Sequence, residues 1–144
     1  MSVVVWITEG TWAACVDAAL RRTPAGERLV LLHVTDDDVA DAAHGAFAGL
    51  LGRGHGPRDP GTRVEELARA AAEELADRAA ARLGRPAERM LLHGRTGQEV
   101  VAASAGAGLL VCARDGDLAV PGPHTLGPAT RFVVDHATCP VLLV

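Results

Sequence analysis

Short runs of apolar, largely β-branched residues alternate along the chain with longer stretches whose apolar positions recur every three or four residues. Residues 3–7 form the first run, continuous enough to be buried on both faces of a parallel sheet. Thr11 can cap a predicted helix carrying Trp12, Cys15, Val16, Ala19 and Leu20 on one face and stopping before Pro24. Residues 29–34 read as a second buried strand. Val64, Leu67, Ala68, Ala71, Leu75, Ala79 and Leu83 mark a long amphipathic helix. Thr62 with Glu65 reads as a capping box at its start, and Gly84 followed by Pro86 closes it. Glu65–Arg69 and Glu74–Arg78 have the spacing of ion pairs on its outer face. Residues 89–93, 109–113 and 139–144 predict three further strands. Helices are predicted over 97–105 and from Gly127-Pro128 onward, with Pro at the first helical position.

Strands separated by helices imply right-handed crossovers, hence an α/β fold whose parallel sheet is covered on both faces. Such sheets take ligands beyond the carboxyl ends of their strands. Residues 35–61 fit this pattern least. They begin with Asp36-Asp37-Asp38, continue through a weak helical stretch at 42–51 and end in a Gly/Pro-rich run at 52–61. A flexible excursion at about 36–61 is expected, set in a single domain spanning 1–144. The last strand is expected at a sheet edge.

With 144 residues, of which 49% are hydrophobic and 22% charged, the chain suits one core without metal or disulfide support. The net charge of −4, from 14 Arg and no Lys against 18 acidic residues, argues against a broad nucleic-acid or anionic-membrane surface. No apolar stretch approaches the roughly 20 residues of a membrane span. The opening residues read as a strand rather than a signal peptide. Three cysteines, Cys15, Cys112 and Cys139, suggest free thiols in a reducing cytoplasm. The absence of Lys, Tyr and Asn beside abundant Ala, Arg and Gly resembles GC-rich codon bias, so the Arg and Ala counts carry little functional weight.

Most catalytic chemistry lacks its motif. Without Lys there is no P-loop, and Gly52, Gly54 and Gly56 follow no predicted strand and open no helix, as a dinucleotide fingerprint would require. Ser2 and Ser104 lie in no G-x-S-x-G elbow. The six histidines show neither H-x₃-H nor C-x₂-C company, so no zinc site is expected. Asp36 to Asp38 read as a solvated acidic turn. No catalytic or metal constellation emerges.

The last third is the most informative: Leu109-Leu-Val-Cys-Ala-Arg-Asp-Gly116, a loop over 114–126, then Gly127-Pro-Ala-Thr-Arg-Phe-Val-Val-Asp-His-Ala-Thr-Cys-Pro-Val-Leu-Leu-Val144. It resembles the carboxyl end of the universal stress protein family, in which a strand leads into G-x₂-G-x₉-G-[ST], a helix of the type S-R-x-V-x-x-H-A, and C-P-V-L-V-V. Thr130-Arg131, Val133, His136-Ala137 and residues 139–144 carry the match. The resemblance implies a Rossmann-like, five-stranded parallel sheet of order 3-2-1-4-5 with helices on both faces. It also implies homodimers through the last strand, and two functional branches, one binding ATP and one not. In the ATP branch, glycines let backbone approach the phosphates, and the helix start supplies donors and a favourable dipole.

Mapped onto this chain, the candidate nucleotide site comprises Trp6, Ile7 and Thr8, Val34, Cys112, Ala113, Arg114 and Gly116, and Gly127, Pro128, Ala129 and Thr130. Several positions depart from the family pattern. Ala113 replaces the first glycine, and ten residues rather than nine separate Gly116 from Gly127. Pro128 replaces the Ser/Thr and has neither hydroxyl nor N–H. At about 0.5–1.5 kcal/mol per neutral hydrogen bond, and more to a charged acceptor, losing two donors weakens binding about ten- to a thousandfold. Thr8, with Glu9 beside it, stands where an Asp usually holds the adenine side. Arg114 and Thr130 can partly compensate, Asp115 and Asp117 would repel phosphate, and Trp6 either stacks on a base or, as the preferred reading, fills its pocket. The leading expectation is a non-enzymatic, regulatory stress-response protein that binds adenine nucleotide weakly or not at all. The alternative is an ATP/ADP sensor using Arg114, Gly116, Gly127 and Thr130 as a reshaped phosphate cradle, with ATP and Mg as its cofactors. Slow ATP hydrolysis, with Asp36 or Asp115 holding Mg, has no identifiable general base. The expected partners are a second copy, paired through 141–144, and an unidentified protein.

Overall fold

A computed structural model of the chain describes residues 1–38, 42, 45 and 60–144. Five strands, β1 (Ser2–Trp6), β2 (Arg28–Asp36), β3 (Glu88–Gly94), β4 (Leu109–Cys112) and β5 (Val141–Leu143), form one sheet of order β3-β2-β1-β4-β5. Every pairing is parallel, as the resemblance implied. Between them run α1 (Trp12–Arg22), α2 (Pro60–Leu83), α3 (Thr96–Ser104), a 3₁₀ turn (Pro123–Thr125) and α4 (Pro128–His136). Apart from its two ends and residues 42 and 45, the expected excursion lies outside the described residues, and with it His44, His55 and the glycines at 52, 54 and 56.

β1 is the central strand, with Val4 level with Val30 of β2 on one side and Leu110 of β4 on the other. The two-residue period of a strand sends its side chains alternately to opposite faces. Val3, Val5 and Ile7 meet Cys15, Val16 and Ala19 of α1 and Leu75, Ala76 and Ala79 of α2. Val4 and Trp6 meet Val100 of α3 and Val133 of α4, together with Leu32, Val34, Leu110 and Cys112. Residues 3–7 are all buried, and each large side chain so enclosed contributes about 1.5–3 kcal/mol relative to exposure.

Polar contacts register the helices on one another. Arg82 of α2 grips Asp17 of α1 through two hydrogen bonds of 2.7 Å. Arg78, expected to pair with Glu74 along its own helix, instead bonds Glu9 and lies 5.5 Å above the Trp12 ring. Reaching a neighbouring element combines an ion pair with a cation–π contact, which an i,i+4 partner does not offer. Two helix starts also differ from expectation. The α2 helix begins at Pro60, so Thr62 lies inside its first turn and is not the N-cap of a box with Glu65. Thr11 occupies the N-cap position of α1 but makes no side-chain cap; its hydroxyl is 2.6 Å from that of Thr8. At the other end of α2, Gly84 takes φ +63° and donates to the Ala80 carbonyl, the left-handed stop expected of it.

The apolar face predicted for α2 is buried only in its second half: Leu75 is 1% exposed, whereas Leu67 is 61% exposed. Leu75→Ala is therefore expected to cost about 2–5 kcal/mol of folding stability. Leu67→Ala is expected to stay within about 0.5 kcal/mol; urea denaturation of the two variants checks the contrast. Burial pushes the Cys15 thiol up to about 11 and the Cys112 thiol up to about 12. Folding thus favours their protonated forms, a contribution intact below the ordinary thiol range of about 8.5 and lost as pH rises toward 11 and 12. At pH 8 a thiol reagent should modify the half-buried Cys139 while Cys15 and Cys112 stay protected, which mass spectrometry of the labelled chain reads directly.

Candidate functional site

Pairing β1 with β4 brings their carboxyl ends together and sets Thr8 beside Ala113. The start of α1 adds Thr11, and the first turn of α4 adds Thr130. With Trp6 and Asp115 these residues enclose a cavity of only about 10 Å³, room for about one water. Trp6 is 4% exposed, packed among the core residues of the α3/α4 face, and its indole N–H has no hydrogen-bond partner among the described residues. The Thr8 and Thr11 hydroxyls are joined to each other. Glu9 is drawn to Arg78, away from the cavity.

The loop over 114–126 is closed on itself. Gly116 N–H donates to the Thr125 carbonyl at 3.0 Å, and Asp117 N–H to the His124 carbonyl at 2.7 Å. The approach is so tight that a Cβ on Gly116 would sit 2.1 Å from the His124 oxygen. Gly116, expected to line a phosphate, is packed against its own loop here. The Arg114 guanidinium donates to the Thr125 hydroxyl at 2.9 Å, and its backbone N–H to the Val144 carbonyl at 3.0 Å. Arg131 reaches back from α4 to the Pro123 carbonyl at 2.9 Å. These hydrogen bonds brace the loop against β5 and α4.

Gly127 is the N-cap residue of α4 and Pro128 its first helical residue. A helix start leaves N–H groups without carbonyls a turn behind them and carries the positive end of the dipole. Here Gly127 N–H donates to the Asp115 carboxylate, 2.8 Å away. Asp115, expected to repel phosphate or, in the hydrolytic reading, to hold Mg, places its carboxylate at the helix start. Sequence spacing signalled little of this, because donor and acceptor lie twelve positions apart and only closure of the loop joins them.

The remaining candidates divide by face and depth. Ile7 points to the α1/α2 side of the sheet, so its side chain turns away from the cavity. The side chains of Val34 and Cys112 belong to the core on the Trp6 side, without lining the cavity. Pro128 and Ala129 border a separate open groove of about 420 Å³, shared with Asp36, Arg95 and Phe132. Asp36 accepts from Asp38 N–H at 2.9 Å, forming a turn. A hollow of about 470 Å³ lies at the opposite end of the sheet, far from these groups. Its Arg28 and Glu88 are bonded to each other and Arg85 to the Thr23 and Pro24 carbonyls, so these polar groups are already engaged. Among the described residues, no three His, Cys, Asp or Glu side chains converge as metal ligands.

Small-molecule sites usually offer about 300–1,000 Å³; the cavity beside Thr130 holds about 10 Å³, and the groove bordered by Pro128 and Ala129 about 420 Å³. The donors offered at this helix start are reduced, since Pro128 has no N–H and Gly127 is engaged by Asp115.

The sequence profile described as the Universal stress protein family matches residues 9–144. No sequence among curated proteins matches the chain. Among solved structures, the universal stress protein UspA from Lactobacillus plantarum superposes with a TM-score of 0.68 at 19% identity, over 100% of this chain and 97% of that one. A universal stress protein in complex with cAMP gives 0.61 at 19% identity, over 100% and 95%. A protein of the same family from Burkholderia pseudomallei gives 0.61 at 19%, over 99% and 94%. With its profile match, strand order and helix placement in agreement, the chain belongs to the universal stress protein family.

Proposed function

We propose that this chain is a regulatory, non-enzymatic universal stress-type protein that works through protein contacts and binds adenine nucleotide weakly or not at all. The observation that carries the reading is the Asp115 carboxylate on Gly127 N–H, at the helix start where a nucleotide-binding relative would hold phosphate. The small cavity and the proline at the first helical position support it. Residues 1–144 act as one domain in this reading, with the cytoplasm as its compartment; no helix among the described residues is long and apolar enough to cross a membrane.

A second reading draws on the relative bound to cAMP. A nucleotide with one phosphate needs fewer donors than ATP, so the loss at Pro128 would matter less. In that case the chain is a nucleotide sensor, with ligand entry displacing Asp115 and loosening Arg114 from Thr125. Among the described residues no three His, Cys, Asp or Glu side chains converge, so magnesium would be held mainly through the ligand's own phosphate oxygens.

The reading includes a homodimer through β5, an edge strand whose far side lacks a neighbour among the described strands. Val141, Leu142 and Leu143 are only half-buried there, and an open apolar edge is a template for pairing.

Two measurements test these statements. Calorimetric titration of nucleotide-stripped protein with Mg-ATP should give no saturable heat at micromolar concentrations; a low-micromolar isotherm would overturn the reading. Light scattering at high micromolar protein should return twice the mass of the chain, and a monomer would remove the dimer from the account.

A further inference from the structure

The α2 helix carries two seams, and only one of them reaches the core. Ala72, Leu75, Ala76, Ala79 and Leu83 are buried. Val64, Leu67, Ala71 and Glu74 follow one another at alternating three- and four-residue steps on another side of the helix, the spacing by which helices pair along a seam. Leu67 is 61% exposed; Arg63, Ala70, Ala71 and Glu74 are exposed as well, and Val64 is half-buried. The seam stops at Arg78, the next position of the repeat, which is taken by Glu9 and the Trp12 ring. Its two ends carry opposite charge, and the side chains of Arg63 and Glu74 make no ion pair among the described residues. These two residues lie about three turns apart and so share one side of the helix. An exposed leucine set between two unpaired, opposite charges is a self-complementary face.

We infer that this seam is an interaction surface for a second copy of the chain, the two α2 helices lying antiparallel. A two-fold axis midway between Arg63 and Glu74 sets the Arg63 of each copy against the Glu74 of the other, so both ion pairs form at once. A parallel pair in register would instead oppose like charges at both ends, which disfavours it. Near the axis, Leu67 falls on the small Ala70 and Ala71 of the other copy, a knob over a shallow hole. The stretch from Arg63 to Glu74 spans about 18 Å at about 1.5 Å per residue. A contact of that length buries less than the roughly 1,600 Å² of a standard interface. It is therefore weak, and it joins copies at millimolar protein, above the concentration at which β5 pairs. The inference is independent of the nucleotide reading, and its surface is separate from the β5 edge.

The test is static light scattering on the full chain as its concentration is raised from micromolar to millimolar. For wild type the average mass should climb from its micromolar plateau to about twice that value, as a two-fold contact requires. Arg63→Glu and Glu74→Arg each place like charges at both ends of the seam. Either should weaken the association about tenfold and hold the mass near the plateau. Combining Arg63→Glu with Glu74→Arg restores opposite charges and should recover the wild-type rise, which a chain that had merely lost its fold could not do. Leu67→Glu should abolish the rise. A flat wild-type series means that something other than a second copy covers the seam, and it overturns the inference. A rise that survives both single reversals comes from another surface and overturns it too. The plateau reports on β5 separately. A plateau at twice the chain mass with no further rise keeps the β5 dimer and removes the α2 contact; a plateau at the chain mass with a charge-dependent rise does the opposite.

Discussion

Burying β1 on both faces while pairing it with β2 and β4 is the constraint from which the site follows. Parallel strands must all leave the sheet at the same end, and β1 and β4 leave it side by side. Their next residues, Thr8 and Ala113, therefore meet, and the helices that must cover both faces start or return beside them. The first turn of α4 reaches that end with its positive pole foremost. A parallel sheet with a central β1 thus builds an anion-attracting corner whether or not a ligand is held there. In this chain the corner is occupied from within.

Two side chains, Trp6 and Asp115, line the cavity at this corner. Trp6 extends the apolar core to the end of β1. Asp115 satisfies Gly127 N–H with a full charge, an interaction favoured by about 0.3–1 kcal/mol from the dipole alone at an exposed site. Gly116, Asp117, Arg114 and Arg131 all bond within the protein and brace the loop. Its apolar tip, with Leu118 and Val120 each more than 60% exposed, is held out on a braced base. A preorganised loop has less entropy to lose on meeting another protein, in keeping with a role exercised through surface contacts.

The sheet was readable in the sequence because β1, β2 and β4 are dominated by Val and Leu with no competing period, and because Gly84 and Pro128 mark helix ends by local chemistry. The carboxyl-terminal motif carried the family. What sequence could not supply were contacts made across the fold. Arg78 prefers Glu9 and Trp12 to its helical neighbour Glu74 because α1 lies against α2. Leu67 has the right period for the core but sits on the half of α2 that the sheet does not cover among the described residues. At the site, Pro128 was legible as a lost donor from its covalent structure alone. The role of Asp115 was not, because a carboxylate near a phosphate loop reads as repulsion until the loop is seen to turn it onto Gly127 N–H.

The most direct test of this account is a crystal structure of the wild-type chain grown with excess Mg-ATP. The account predicts Asp115 within hydrogen-bond distance of Gly127 N–H, Trp6 in the core, and no nucleotide at the start of α4. Phosphate oxygens on Gly127 with Asp115 turned outward would contradict it.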